Sequence, residues 1–218
     1  MVEILILEDW HGVKECQEWH IEKIKAEKPD AVGVEFLCSD KNIWALCDEL
    51  SKGKISIDEF SKKSGIREWC MPENYLTLLK FLHGSGIRLF PMDHTSSDRK
   101  KLISFLKGAV KSASEGKDMD DMFKAYTTML KIERDGIFTR NALNILTEAK
   151  TEKIILLVGS GHHDSLGAIF ESFERDAAVK SVKSPSREAM RKEWERVNMK
   201  EKPEGVVELL CRLGKVSR

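Results

Sequence analysis

Residues 154–164 read IILLVGSGHHD. Ile154–Val158 is an unbroken apolar run of strand length, followed at once by glycines and imidazoles. A strand that is apolar at every position has both faces buried, which is the habit of a parallel sheet covered by crossover helices. Three further short, mostly apolar runs of strand length are Val2–Leu7 (VEILIL), Ala31–Phe36 (AVGVEF) and Ile87–Met92 (IRLFPM). Ala178–Val182 is a weaker fifth. Helical pattern fills the gaps. Val13, Cys16, His20 and Ile24 recur at three- and four-residue steps, and Pro29-Asp30 ends that helix. Asp40–Ser51, Ile57–Lys63, Pro72–His83, Asp98–Ser112, Met119–Ala149, Asp164–Arg175 and Arg187–Val197 are the further helices expected. Strand alternating with helix predicts a three-layer α/β fold, a central mostly parallel sheet with helices on both faces. The stretches 37–83 and 98–149 exceed what a crossover needs. They are expected to form a helical cap, inserted in a single domain over 1–218.

Composition narrows the function. Of 218 residues, 41% are hydrophobic and 33% charged, which is a globular balance. Lys plus Arg number 36 and Asp plus Glu 36, so no net charge draws the chain to nucleic acid or anionic lipid. The N-terminus lacks a signal-peptide pattern, and no apolar run nears the roughly 20 residues of a spanning helix. Five cysteines, an odd number without a CxxC pair, argue against a disulfide framework and for a reducing, cytoplasmic setting. The segment from Lys180 is locally basic and reads as a solvated helix face. The expected partner is a small-molecule or peptide substrate, with no nucleic acid and no membrane, and a homodimer stays open.

The chemistry gathers directly after each strand. The first run leads into Glu8-Asp9-Trp10-His11-Gly12, the second carries Glu35, the third leads into Asp93-His94, and the fourth into Gly159-Ser160-Gly161-His162-His163. In an open parallel sheet the carboxyl ends of the strands share one edge, where ligands bind. Carboxylates and imidazoles therefore converge there. Glu35 lies in an otherwise apolar strand, where an ionised carboxylate is costly without a partner. Asp93 and His94 also suit a helix start. Gly159 and Gly161 lack the third glycine of a dinucleotide loop, so they are read as a tight turn that leaves His162 and His163 over the edge. His20, on the apolar face of its helix, reads as a core histidine. His83, beside Gly84, reads as structural. In the helix before the fourth strand, Arg134 and Arg140 are both candidates to hold an anion or developing oxyanion.

These pieces in this order resemble a known superfamily. Glu8-Asp9-Trp10-His11-Gly12, Val34-Glu35, Met92-Asp93, Glu133-Arg134-Asp135 and Val158-Gly159-Ser160-Gly161-His162 are similar to the motifs of the group that joins the TraB/PrgY and Tiki-type proteins, the erythromycin-esterase (EreA-like) proteins and the ChaN-like haem-binding proteins. The resemblance covers about residues 2–170. It implies an α/β fold with an active-site edge. It does not imply one activity: Tiki-type members are regarded as metal-dependent peptidases, esterase-type members open a lactone with a histidine-activated water, and ChaN-like members bind haem. TraB and Tiki proteins carry Gly-x-x-His at the first motif, where this chain has Glu8. The Glu-x-x-His-Gly form is nearer the esterase and ChaN types, whereas the Glu-Arg-Asp helix and the Gly-x-Gly-His strand end are closer to TraB.

Two functions are expected to compete. The first is a hydrolase, peptidase- or esterase-like. Its catalytic set would be Glu8, His11, Glu35, Asp93, Arg134 or Arg140, and His162, with His11 or His162 as base and Glu8 or Glu35 orienting it. Glu8, His11, Glu35 and His162 could ligate zinc, manganese or cobalt. The second is a protein that binds haem, metal or another small ligand without turnover. Trp10, His94, Gly159, Gly161 and His163 would then line the bound group, with Trp10 stacking on a ring.

Overall fold

The computed structural model describes residues 2–65, 72–98, 100, 119–148, 151–172, 177–185 and 187–198. The elements run β1 (Val2–Asp9), α1 (Lys14–Glu27), β2 (Ala31–Cys38), α2 (Lys41–Ser51), α3 (Ile57–Ser64), α4 (Pro72–Leu82), β3 (Arg88–Asp93), α5 (Met119–Glu148), β4 (Lys153–Gly159), α6 (Ser160–Glu171), β5 (Ala177–Val182) and α7 (Arg187–Asn198). The helix expected over 98–112 lies almost wholly outside the described residues.

The sheet order is β3-β2-β4-β1-β5, and every pairing is parallel. β2, β4 and β1 are thus interior, which is why IILLV is apolar throughout and β1 is buried from Ile4 onward, while the edge strand β5 is exposed at Ala178, Lys180 and Ser181. Side chains alternate across the sheet. Leu5, Leu7, Val32, Val34, Ile155 and Leu157 face one core, packed under Ile24 of α1, Leu46 and Leu50 of α2, Phe60 of α3 and Leu78 and Leu82 of α4. Ile4, Ile6, Ile154, Leu156 and Val158 face the other, under Phe138, Ala142 and Ile145 of α5 and Leu166 and Phe170 of α6. Three layers result, as the sequence predicts. The helices α2, α3 and α4 supply much of one flanking layer, and Tyr75 of α4 reaches the carboxyl end of the sheet.

Two local expectations are corrected. α6 starts at Ser160, directly on the strand, not at residue 164. His162 and His163 therefore sit in its first turn rather than in a loop. Gly159 has φ −54° and ψ 147°, which any residue adopts, so no tight glycine turn is present there. Gly33 is where missing bulk matters inside the sheet: a Cβ would come 2.5 Å from Phe90 Cζ and 2.6 Å from Met92 Sδ.

Candidate functional site: two carboxylate-anchored imidazoles around Glu35

The strand ends deliver Asp9 (β1), Glu35 (β2), Asp93 (β3) and Gly159 (β4) to one edge. α4 brings Tyr75 from one layer, and α5 brings Arg134 and Asp135 from the other. His11 Nδ1 lies 2.7 Å from Asp9 Oδ2. The Tyr75 hydroxyl donates to the same carboxylate oxygen at 3.2 Å and lies 2.7 Å from His11 Nδ1. On the far side His162 Nδ1 is hydrogen bonded to Asp135 Oδ1. Both imidazoles are thus fixed at Nδ1 by an aspartate, and both aim Nε2 at one atom: Glu35 Oε1 is 3.6 Å from His11 Nε2 and 3.9 Å from His162 Nε2.

Glu35 meets the cost of burial with partners that lie far off in the chain. Arg134 Nη2 donates to Oε1 at 2.7 Å, and the Gly159 backbone N–H donates to Oε2. Arg134 Nε also donates to Asp93 Oδ1 at 3.1 Å, and Nη1 lies 3.2 Å from His162 Nε2. With Nε2 accepting from the guanidinium, the His162 proton sits on Nδ1, facing Asp135. Phe138 packs edge-on to His162 and under the guanidinium at 5.3 Å. Gly159 makes the crowding feasible: a Cβ there would come 2.9 Å from His11 Nε2 and 3.0 Å from Glu35 Oε2.

Charge follows contact. Burial pulls the His11 imidazole down, but the Asp9 carboxylate, and after it Glu35, outweigh that and hold it well above its ordinary value. Burial would raise Glu35, yet His11 foremost, with Arg134 and His162, holds it well below the carboxylate range. Asp93 is lowered against burial by hydrogen bonding from His94 and by Arg134. His11 and Arg134 are the cluster's openings to the outside, with 32% and 27% of their side chains exposed, against 5% for Glu35 and 11% for His162.

Of the residues predicted from sequence, His11, Glu35, Asp93, Arg134 and His162 meet here, and Gly159 touches two of them. Glu8 does not. It lies one step from Asp9, on the other face of β1, where Oε2 accepts from Ser184 N (3.1 Å) and Ser184 Oγ (3.0 Å) and Oε1 pairs with Arg187 Nε at 2.9 Å. Asp9 holds the imidazole instead, and Glu8 is no ligand beside His11. Trp10 is buried among Val13, Cys16 and Met190, with its indole N–H on Ser184 Oγ, so it offers no face to a ring. His163 points to Ser181 Oγ and Asp164, and His94 turns onto its own neighbour Asp93. Arg140 is exposed, as is Gly161. Arg134 and Phe138, four apart, share the buried face of α5, whereas Arg140 falls on the far side. Sequence reading missed Asp9, Tyr75 and Asp135. For Asp9 a signal existed: it continues the alternation Leu5, Leu7 toward α1. Asp135 stood inside the Glu-Arg-Asp motif. Tyr75 carried no local sign.

Among solved structures, one describing cofacial haem binding to ChaN of Campylobacter jejuni is similar to this chain, with a TM-score of 0.55, 12% identity, and 84% of this chain and 82% of that chain covered. The fold is ChaN-like. At that identity the likeness concerns architecture, and it does not reach the TraB or erythromycin-esterase branches specifically. No protein-family model and no curated protein matches the sequence. No described helix is long and apolar enough to cross a membrane.

Proposed function

We propose that the strand-end edge binds a flat, metal-centred anionic ligand of the haem class, without turnover. The observation that carries this reading is the His11 imidazole, partly exposed at the mouth and locked at Nδ1 by Asp9 and Tyr75. A carboxylate on Nδ1 fixes the ring and raises the basicity of Nε2, the arrangement metal-ligating histidines favour. Imidazole is an accepted axial ligand of haem iron. Arg134, the other open side chain, supplies the cation that a propionate requires. The donor types are those haem takes, with His11 as ligand and Arg134 as anion partner, and ligation requires His11 Nε2 to exchange its contact with Glu35 for the iron. The ChaN-like fold, in a neighbour described with haem, supports the same reading. When bound, haem would supply an iron centre open to ligand exchange.

The chain's own residues set the conditions. His11 is held protonated by Asp9 and Glu35, and a protonated imidazole cannot ligate. Binding must release that proton, so affinity rises with pH. Titration of the purified chain with haemin should shift the Soret band at one equivalent, and His11→Ala should remove the shift. Metal-free protoporphyrin separates the sources of affinity: equal binding with and without iron would refute ligation by His11.

A hydrolase is the second reading, favoured by the two aspartate-imidazole pairs facing Glu35 beside a guanidinium. His162 would take a proton from water and Arg134 would face the developing oxyanion. Turnover of an ester, lactone or peptide that disappears in both His162→Ala and Glu35→Gln would favour it over simple binding.

A further inference from the structure

Beneath His11, on the α1 side of β1, lies a polar cluster that the edge site does not use. Asp9 Oδ2 serves His11 and Tyr75, but Oδ1 turns into the protein. There it lies 3.7 Å from Cys16 Sγ, 3.1 Å from Gln17 Nε2 and 3.8 Å from His20 Nδ1. Cys16 and His20 stand four apart on α1 and so share a face. Asp9, Cys16, Gln17 and His20 are all at most 2% exposed.

The hydrogen bonds do not close. His20 Nε2 lies 3.0 Å from the Glu8 carbonyl, which can only accept, so Nε2 carries a proton. His20 Nδ1, at 3.8 Å from Asp9 Oδ1, is too far for a hydrogen bond and has no partner. Gln17 Oε1, also buried, has none either. A buried acceptor stripped of water and given nothing in return is costly, and here there are two. His20 Nδ1 lies beside the Asp9 carboxylate, Gln17 Oε1 belongs to the amide that donates to it, and the Cys16 thiol lies 3.6 Å from His20 Nε2, so a cation among them would satisfy what the cluster lacks.

We propose that Asp9, Cys16 and His20, completed by Gln17, form a closed site for a zinc-class divalent ion. One ligand atom from each of Asp9, Cys16 and His20 lies within 4.8 Å of the others. Tetrahedral zinc bonds of about 2.0–2.3 Å place neighbouring ligand atoms roughly 3.3–3.7 Å apart, close to the 3.7 and 3.8 Å seen. The Gln17 amide, turned over, puts Oε1 where Nε2 now faces Asp9. The outer contacts suit a ligand set: the Nε2–H of His20 donates to the Glu8 carbonyl, and Trp10 N–H donates to Cys16 Sγ at 3.4 Å. A thiolate and a carboxylate neutralise the dication, so the buried site carries no net charge. With four protein ligands it leaves no open position, which makes it structural. The site stands independently of the haem reading.

The test uses the full chain. Elemental analysis of purified protein should give one zinc-class ion per chain. Protein unfolded in denaturant with chelator and refolded with cobalt(II) should show thiolate-to-cobalt charge-transfer absorption and the visible bands of a four-coordinate ion. Cys16→Ser and His20→Gln should each lower the metal content at least tenfold, while His162→Ala keeps it. Should the first two fail to fold, the wild-type cobalt spectrum decides alone. The proposal is overturned by cobalt-refolded protein without charge-transfer absorption. It is equally overturned by an ion that leaves with His162→Ala and stays with Cys16→Ser, which would assign it to the edge cluster. Haemin titration reads the edge separately, so either idea can fail without the other.

Discussion

Gly159→Ala puts a single methyl group into the centre of the site. The backbone there, φ −54° and ψ 147°, is open to alanine without strain. Relief of unfolded-chain entropy should then stabilise by about 0.4–1 kcal/mol. Against this stands contact. The new Cβ would lie 2.9 Å from His11 Nε2 and 3.0 Å from Glu35 Oε2, short of ordinary packing distance by roughly half an ångström. Neither group can simply rotate away: Glu35 is held by Arg134 and by Gly159 N–H, and His11 by Asp9 and Tyr75. Overpacking of this kind costs about 1–3 kcal/mol. The net expectation is a loss of about 1–2 kcal/mol, or roughly 2–8 °C in Tm for a chain of this length. Displacing His11 from Glu35 also removes part of what raises its pKa, so the imidazole should titrate closer to its ordinary value by NMR. Gly161→Ala is the matched control. Its Cβ meets nothing within 4 Å in the first turn of α6, and it should raise Tm slightly. A Gly159→Ala protein that melts as high as wild type, with His11 titrating unchanged, would refute the close approach on which the site depends.

Other outcomes rest on the same contacts. Because the folded pKa of His11 is raised, its contribution to stability is full below the unfolded value of about 6.5 and is lost as pH rises through the folded value; melts of wild type and His11→Asn should converge toward alkaline pH, and a difference that grows there would contradict the assignment. Glu8→Ala removes the acceptor of Ser184 N and Oγ and the partner of Arg187, and should cost about 1–3 kcal/mol in denaturant unfolding while leaving haemin binding intact. Arg140→Ala, on the exposed face of α5, should change neither stability nor binding, whereas Arg134→Ala should weaken binding. Gly33→Ala, whose Cβ would collide with Phe90 and Met92 in the core, should cost about 1–3 kcal/mol or more, read as the Tm of the purified variant.

The strands, their parallel sense and the edge at which the chemistry gathers were all legible in the residues alone. Those properties are local. An unbroken apolar run marks a strand covered on both faces, and a polar step after it marks the carboxyl end, whichever neighbours the strand acquires. The same signals located His11, Glu35, Asp93 and His162 at that end. Choices between near neighbours were left to the packing. Glu8 and Asp9 are chemically alike and adjacent, yet the two-residue period of β1 sends one to Ser184 and Arg187 and the other to His11, and only the docking of α1 says which. Arg134 and Arg140 ride one helix, and its rotation against the sheet decides which guanidinium reaches Glu35. The cost of burying Glu35 was visible in an apolar strand. Its compensation was not, because it comes from Arg134, 99 residues on, and from Gly159 N–H, 124 residues on. Tyr75 reaches His11 from a helix whose sequence shows only an apolar face. Pairings between distant segments are fixed by how layers dock, and no local pattern encodes them.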